Sequence, residues 1–235
     1  MGRLARSVPP LAGQRGCMMN LARKEHDTQA VHSQNPAVLA DIYHEHVNLA
    51  VWQAQPACAI RDYAQSLCQG TRPLNLKIVG TTQEISQHLA SSLPADQGRA
   101  LLLDHLGQCC AMFSDLFEAE ALGLRLETLE RAMCPRFHVD NLPVRLITTL
   151  HGVATQWLPA HAVERRWLGR AGAGQADETS GLIRDGRAIQ QLETGDVALM
   201  KGEGWEGNHG RGLVHRSPEP APGDCRLVLT LDWIA

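Results

Sequence analysis

The sequence predicts a mixed α+β protein in which a helical layer covers one face of a double-sheet jelly roll. Three observations lead to this fold. Apolar residues recur every three or four positions in much of the first half, as in amphipathic helices. From about Gly123 the period changes to two, as in half-buried strands. These later strands are short and separated by Gly and Pro, with no long helix between them, which is typical of antiparallel sandwiches and barrels.

The predicted helices come first in chain order. Asn35 can cap a helix that has Pro36 at its first position, which is the preferred order of these two residue types. The three predicted helices are Asn35–Tyr43, Pro56–Leu67 and Ala95–Ala121, and the alternating segments His46–Trp52 and Leu74–Ile78 are predicted strands between them. The predicted strands of the second half are Leu122–Glu127, Arg136–Asp140, Val144–Leu150, Asp196–Met200, Gly212–His215 and Cys225–Trp233.

The start of the chain differs from the rest. Residues 1–24 carry Arg and Lys but no acidic residue, and Pro9 and Pro10 interrupt any apolar run that could serve as a secretory signal. We therefore expect residues 1–34 to be a disordered basic leader and residues 35–235 to be one domain. Within it, residues 35–122 would form a mainly helical support and residues 123–235 the jelly-roll core.

Composition excludes several classes of protein. The 235 residues include 22 basic and 25 acidic side chains, a balance that gives no electrostatic footprint for nucleic acid or an anionic membrane. No apolar run approaches the roughly 20 residues of a membrane span. Glycine-rich dinucleotide and phosphate loops, the Gly-x-Ser-x-Gly elbow and His-Glu-x-x-His are also absent from the sequence. We expect neither nucleic acid nor a membrane as partner.

Cysteine usage indicates the compartment. The seven Cys are odd in number and irregularly spaced, without a Cys-x-x-Cys pair. This pattern argues against a disulfide framework and for a reducing environment, so a cytoplasmic location is expected.

A candidate metal site begins with His138 and Asp140. On a strand, residues two apart share a face, so this imidazole and carboxylate could hold adjacent corners of one divalent ion. A lone His-x-Asp is also common as a surface or capping pair. His215, at the end of a later predicted strand, could complete a facial triad of two His and one carboxylate, which leaves other metal positions open.

Arg226 is the candidate partner of an anion. It shares a strand face with Val228 and Thr230, and a guanidinium in a barrel interior needs a carboxylate or phosphate partner. A dicarboxylate that chelates the metal at one end could meet Arg226 at the other. The structural alternative is an ion pair of Arg226 with Asp232, Asp196 or a nearby Glu.

This order of residues resembles the Fe(II)/2-oxoglutarate-dependent oxygenases. The likeness covers roughly residues 131–233 and implies a double-stranded β-helix with flanking helices. It also implies that His138, Asp140 and His215 are metal ligands and that Arg226 anchors 2-oxoglutarate. The implied cofactors are Fe(II) and 2-oxoglutarate.

A second resemblance spans nearly the whole chain. The stretch from Cys134 to Leu146, with Thr155–Pro159 and Lys201–Trp205, is similar to a bacterial domain family of unknown function associated with zinc-homeostasis genes. This resemblance also implies a bound metal, with zinc as the alternative to iron.

Further residues could surround the metal or a substrate, and each also has a plainer explanation. Cys134 could add a thiolate ligand or be a small buried residue, and the remaining candidates could equally be core, loop or surface side chains. They are Arg145 and Arg216 as other anion partners, His151 and His209 near the site, and Trp157 and Trp205 as pocket walls.

The sequence thus favours a mononuclear metal-dependent oxygenase that hydroxylates a small-molecule or peptide substrate. The first rival is a non-catalytic zinc-binding or zinc-homeostasis protein with the same three ligands. The second is a cupin-type binding module, which the His-x-Asp pair disfavours because cupin sites usually begin with His-x-His.

Overall fold

The computed structural model describes residues 28–172 and 174–234. The helices are a 3-10 helix at Pro36–Tyr43 and three α-helices, Cys58–Cys68 (α1), Thr82–Ser92 (α2) and Arg99–Phe117 (α3). The strands are Gln29–Ser33 (β1), Val47–Trp52 (β2), Asn75–Gly80 (β3), Leu122–Leu129 (β4), Val144–His151 (β5), Gln156–Leu158 (β6), Gln190–Gln191 (β7), Val197–Lys201 (β8), Val214–Arg216 (β9) and Arg226–Trp233 (β10). Short 3-10 turns lie at Ala160–Ala162, Arg165–Trp167, Gly169–Gly172 and Gly186–Ala188.

The strands form two sheets. The larger has seven strands in the order β1-β2-β8-β5-β10-β4-β3, and the smaller has three in the order β7-β6-β9. Neighbouring strands are antiparallel except for β1 and β2, which are parallel. The fold is therefore a mixed α+β arrangement with a large sheet at its centre.

The helices pack on one face of the larger sheet. Leu227, Leu229 and Leu231 of β10 belong to the same buried cluster as Leu102 and Leu106 of α3. Burial of this apolar surface is the main source of stability for such a layered fold. The predicted helical layer is confirmed.

The opposite face of the larger sheet meets the smaller sheet. Leu49 of β2 and Met200 of β8 share a second buried cluster with Trp157 of β6 and with Leu192, which follows β7. On β10, Arg226, Val228 and Thr230 face the same side and line a cavity between the sheets. The predicted alternation along β10 is thus confirmed.

Helix capping explains where two helices begin. The side chain of Asn35 accepts a hydrogen bond from the N–H of Ala37, as the sequence predicts. Thr81 and Glu84 form a capping box at the start of α2, which the sequence analysis did not identify.

One expectation about domain organisation is wrong. Residues 29–33, expected in the leader, form β1 and pair with β2, so the ordered domain begins before residue 35. The two strands expected among the helices of residues 35–122 are β2 and β3, and both belong to the larger sheet. The rest of the expected leader, residues 1–27, lies outside the described residues. Within the described ranges, no helix is long and apolar enough to cross a membrane.

Candidate metal centre

Three side chains converge at one point. One ligand atom each from His138, Asp140 and His215 lies within 4.8 Å of the other two. The Asp140 carboxylate is 3.6 Å from Nε2 of His138 through Oδ1 and 3.7 Å from Nε2 of His215 through Oδ2. The centroids of the two imidazole rings are 4.5 Å apart. Two nitrogens and one carboxylate at these separations suit a divalent ion such as Fe(II) or Zn²⁺.

A single pair of backbone hydrogen bonds brings the two histidines together. His138 and His215 each donate their N–H to the carbonyl of the other at 3.0 Å. The prediction of a continuous strand over Arg136–Asp140 is wrong, because only His138 pairs in this way. The neighbouring residue is fixed by a side chain from a loop: the N–H of Phe137 donates to a carboxylate oxygen of Asp177 at 2.7 Å.

The imidazole rings are oriented through their Nδ1 atoms. Nδ1 of His138 lies 2.9 Å from the carbonyl of Arg136, and Nδ1 of His215 lies 3.2 Å from the carbonyl of Leu213. A proton on Nδ1 that donates to these carbonyls leaves the Nε2 lone pair free for a metal. Both Nε2 atoms point toward Asp140.

Burial and charge set the protonation of the three ligands. Burial lowers the pKa of His215 to about 4, against the charge of Asp140. Burial acts to raise the pKa of Asp140, but a hydrogen bond with His138 and the charges of His215 and Arg145 prevail and lower it to about 2. Burial also acts to lower the pKa of His138, yet its contacts with Asp140 and the Arg136 carbonyl raise it. Asp140 and His215 are therefore in their metal-binding forms at neutral pH.

Arg145 joins two carboxylates beside the site. Its Nη1 donates to Oδ2 of Asp140 at 2.8 Å, while Nε and Nη2 donate to the two oxygens of Asp232 at 2.7 and 2.9 Å. Arg145 is thus committed to carboxylates of the protein itself. The structure therefore does not favour Arg145 as an alternative to Arg226 for binding an external anion.

Arg226 has a different environment. It is only 1% exposed, and its guanidinium donates to the Val153 carbonyl at 2.6 Å and to the Ser217 hydroxyl. In the described part of the chain no carboxylate forms an ion pair with it. The structural alternative, an ion pair with Asp232, Asp196 or a nearby Glu, is wrong: among the described residues none of these carboxylates pairs with Arg226, and Asp232 is paired with Arg145. Burial lowers the pKa of Arg226 to about 10, and it stays charged at neutral pH.

One cavity connects Arg226 with the two histidines of the candidate metal site. His138, His215 and Arg226 line it, together with the apolar residues Leu129, Met133, Ile147, Met200 and Val228. Its volume is about 60 Å³, so it is small.

The other candidates lie at varying distances from this centre. Cys134 is exposed and lines the cavity, but its sulfur is not part of the group of converging ligand atoms. Arg216 stacks over Phe137 at 4.3 Å and pairs with Glu178, outside the cavity. His151 ends β5 opposite Leu227 and does not line the cavity.

The remaining three candidates have separate surroundings. The His209 side chain is 99% exposed and lies 3.4 Å from Glu203. Trp157 is buried between the two sheets, where it pairs with His215 in register. Trp205 packs against Tyr43 and Phe117 beside the helix-side core, so it does not wall the cavity.

The sequence analysis missed the residues that hold the site together. Asp177 fixes the backbone before His138, Asp232 holds Arg145, and Ser217 contacts Arg226. For Asp232 a signal was present, because it lies on the same face of β10 as Arg226 at an even spacing. No short-range pattern indicates Asp177.

The family of the chain follows from a sequence match. The family described as "Protein of unknown function (DUF1826)" matches residues 33–232. The chain belongs to the DUF1826 family. No curated protein matches this DUF1826 chain.

Solved structures with a similar fold include several oxygenases. Dioxygenase for auxin oxidation 1 from Arabidopsis thaliana, in complex with 2-oxoglutarate, is 7% identical over 88% of this chain and 92% of that chain, with a TM-score of 0.49. A putative 2OG-Fe(II) oxygenase family protein from Caulobacter crescentus is 12% identical over 88% and 86%, with a TM-score of 0.48. A Pseudomonas putida prolyl-4-hydroxylase is 14% identical over 84% and 96%, with a TM-score of 0.42. At these identities and TM-scores the likeness carries no conclusion about the activity or substrate of this chain.

Proposed function

We propose that this DUF1826 protein is an Fe(II)- and 2-oxoglutarate-dependent oxygenase that hydroxylates a small-molecule or peptide substrate. The observation that carries this proposal is Arg226, a buried cation without a carboxylate partner in the described chain, on the same cavity as His138 and His215, which converge with Asp140. A protein that only stores or senses zinc needs the three ligands but has no use for such a cation.

His138, Asp140 and His215 would hold Fe(II), because their donor set is that of the facial triad. When bound, Fe(II) and 2-oxoglutarate would supply the oxidising chemistry with O2 as the oxidant: one oxygen atom enters succinate as CO2 is lost, and the other hydroxylates a substrate C–H bond. The protein contributes geometry: the Nδ1 contacts of both imidazoles orient their Nε2 atoms toward the metal position, and the apolar walls limit access of water to the site.

Arg226 would bind the distal carboxylate of 2-oxoglutarate. Ser217 and the Val153 carbonyl fix the guanidinium through two of its N–H groups, which leaves others free to donate to a carboxylate. Charge supports the same ligand. The positive charges of Arg145 and Arg226 balance the negative charges of Asp140 and Asp232. A bound divalent ion would therefore leave the site with excess positive charge, which a dianion would neutralise.

Entry of 2-oxoglutarate would require the cavity to widen. The cavity measures about 60 Å³, and the segment from Leu129 to Cys134 forms part of its wall. Met133 in this segment is 46% exposed, so its side chain is not fixed by core packing. Movement of this segment is the change we expect when 2-oxoglutarate binds.

The two facing sheets would correspond to the double-stranded β-helix of these oxygenases. Supporting this, β5, β8 and β10 of the larger sheet and β9 of the smaller sheet contribute residues to the wall of the cavity. The helices lie on the outer face of the larger sheet, where such enzymes have their flanking helices.

The decisive test is an anaerobic calorimetric titration of the Fe(II)-loaded protein with 2-oxoglutarate, coupled to an assay for succinate in air. We expect saturable binding of one molecule per metal and slow succinate formation even without the primary substrate. Metal binding without any binding of 2-oxoglutarate would overturn the oxygenase proposal and favour the zinc-binding alternative.

A further inference from the structure

We propose that Arg145 and Asp232 act together as positioning residues for the metal ligand Asp140. This inference rests on the metal site of the proposed function, but not on 2-oxoglutarate. The pair would hold the Asp140 carboxylate in one orientation and leave only one of its oxygens for the metal.

The contacts of Arg145 account for three of its N–H groups. Two donate to the two oxygens of Asp232 in a forked arrangement, and the third donates to Oδ2 of Asp140. Oδ2 is therefore engaged, whereas Oδ1 faces Nε2 of His138 without a hydrogen bond from Arg145. Oδ2 also lies 3.7 Å from Nε2 of His215, but because it accepts a hydrogen bond from Arg145, Oδ1 is the oxygen that this arrangement leaves for a metal.

The anchor of this arrangement is the larger sheet. Arg145 and Asp232 face each other in register on β5 and β10, two of its inner strands. Asp140 lies in the loop before β5, outside any strand, and its carbonyl accepts a hydrogen bond from the N–H of Glu203 at 2.9 Å. These backbone contacts do not orient its carboxylate. Arg145 thus connects a loop residue to the most constrained part of the fold, which is how a supporting residue reduces the freedom of a ligand.

Lys could not replace Arg145 in this role. The side chains of Arg145, Asp140 and Asp232 are 18%, 17% and 9% exposed, so both carboxylates depend on a partner within the protein. A planar guanidinium can meet one carboxylate with two N–H groups and a second carboxylate with another. An ammonium group lacks this fork.

The test measures Co²⁺ affinity by calorimetry and the visible d–d bands of the Co²⁺-loaded protein. Loss of a group that supports a ligand typically weakens metal binding about 10- to 100-fold, which is the expected result for Arg145→Lys and Asp232→Asn. We also expect changed d–d bands, because Asp140 could then bind through both oxygens. A merely structural role would change stability in urea but not the bands.

Arg211→Gln is the matched control. Arg211 is similarly buried, with an 11% exposed side chain paired to Glu45, but does not contact a metal-binding side chain. The Co²⁺ affinity and d–d bands of the Arg211→Gln variant should equal those of the wild type. If Arg145→Lys and Asp232→Asn also match the wild type in both, the positioning role is overturned. Absence of Co²⁺ binding by the wild type would instead overturn the metal site, and the proposed function with it. Asp232→Asn nearly preserves shape, so it keeps the test valid should the Arg145 variant unfold.

Discussion

His138 and His215 form one antiparallel pair in which each backbone N–H donates to the carbonyl of the other at 3.0 Å. The pair links the loop that carries Asp140 to β9 of the smaller sheet. The distance between the two imidazoles is therefore set by backbone hydrogen bonds rather than by flexible side chains, which favours a preorganised metal site.

Replacement of any one of the three ligands should remove most of the bound metal. For His138→Ala, Asp140→Ala and His215→Ala we expect affinity to fall by at least about tenfold, or about 1.4 kcal/mol, since each loses one of three protein donors. Metal analysis after purification without chelators provides the measurement. His44→Ala is the control, because the His44 side chain is 74% exposed and lies outside the converging group. Equal metal content in all four variants would contradict the site.

Arg226→Ala should separate metal binding from 2-oxoglutarate binding. We expect unchanged metal content and at least about tenfold weaker binding of 2-oxoglutarate, or about 1.4 kcal/mol, with little recovery in Arg226→Lys. Ser217→Ala removes one hydrogen-bond partner of the Arg226 guanidinium and should weaken 2-oxoglutarate binding by about 1 kcal/mol. Anaerobic calorimetry on the Fe(II) forms measures all three. Binding by Arg226→Ala at wild-type strength would exclude the proposed role.

Acid should destabilise the metal-free protein through His215. The pKa of His215 is about 4 in the folded protein, against an ordinary value of 6.5. Between pH 6.5 and about pH 4, the unfolded chain therefore binds a proton at His215 that the folded protein does not. The free energy of unfolding should therefore fall as the pH drops through this window, by up to about 1.4 kcal/mol per pH unit. Urea unfolding with a chelator at several pH values would show it. His215→Gln should lack this part of the slope, and an identical slope in both proteins would refute the assignment.

Gly152 should be essential for the position of Arg226. Its φ is +82°, and a Cβ there would lie 2.4 Å from the Cys225 carbonyl and 3.0 Å from Cγ of Arg226. Gly152→Ala should lower stability by about 1–3 kcal/mol and weaken 2-oxoglutarate binding. Gly186→Ala is a suitable comparison, because a Cβ there meets nothing within 4 Å; its stability should change by less than about 0.5 kcal/mol. Similar effects of the two substitutions would argue against this packing role.

Local patterns predicted much of the fold. The alternation of β10 placed Arg226 and the Leu residues on opposite faces, and the periodicity of α3 identified the main helix. The missed α2 had a local signal in Thr81 and Glu84, so its omission was avoidable. By contrast, β1 could not be recognised, because its short segment alternates weakly and, among the described residues, it pairs only with β2.

The candidate site was predicted less completely. His138, Asp140 and His215 do converge, although Arg136–Asp140 is not the strand from which their common face was inferred. The roles of Arg145 and Asp177 depend on contacts between segments distant in the chain. No periodicity encodes such contacts. Arg145 was predicted as a partner for an external anion, but its guanidinium instead binds the carboxylates of Asp140 and Asp232.

The parallel pairing of β1 with β2 has a practical consequence for anyone shortening this protein. All six residues of β2 are buried, and β1 occupies one of its hydrogen-bonding edges. A truncated protein that begins at residue 35 would leave the apolar strand Val47–Trp52 with free N–H and C=O groups. Such an edge is a template for pairing with other molecules. We expect the protein truncated at residue 35 to aggregate on expression. A protein that begins at residue 28 keeps this edge covered by β1.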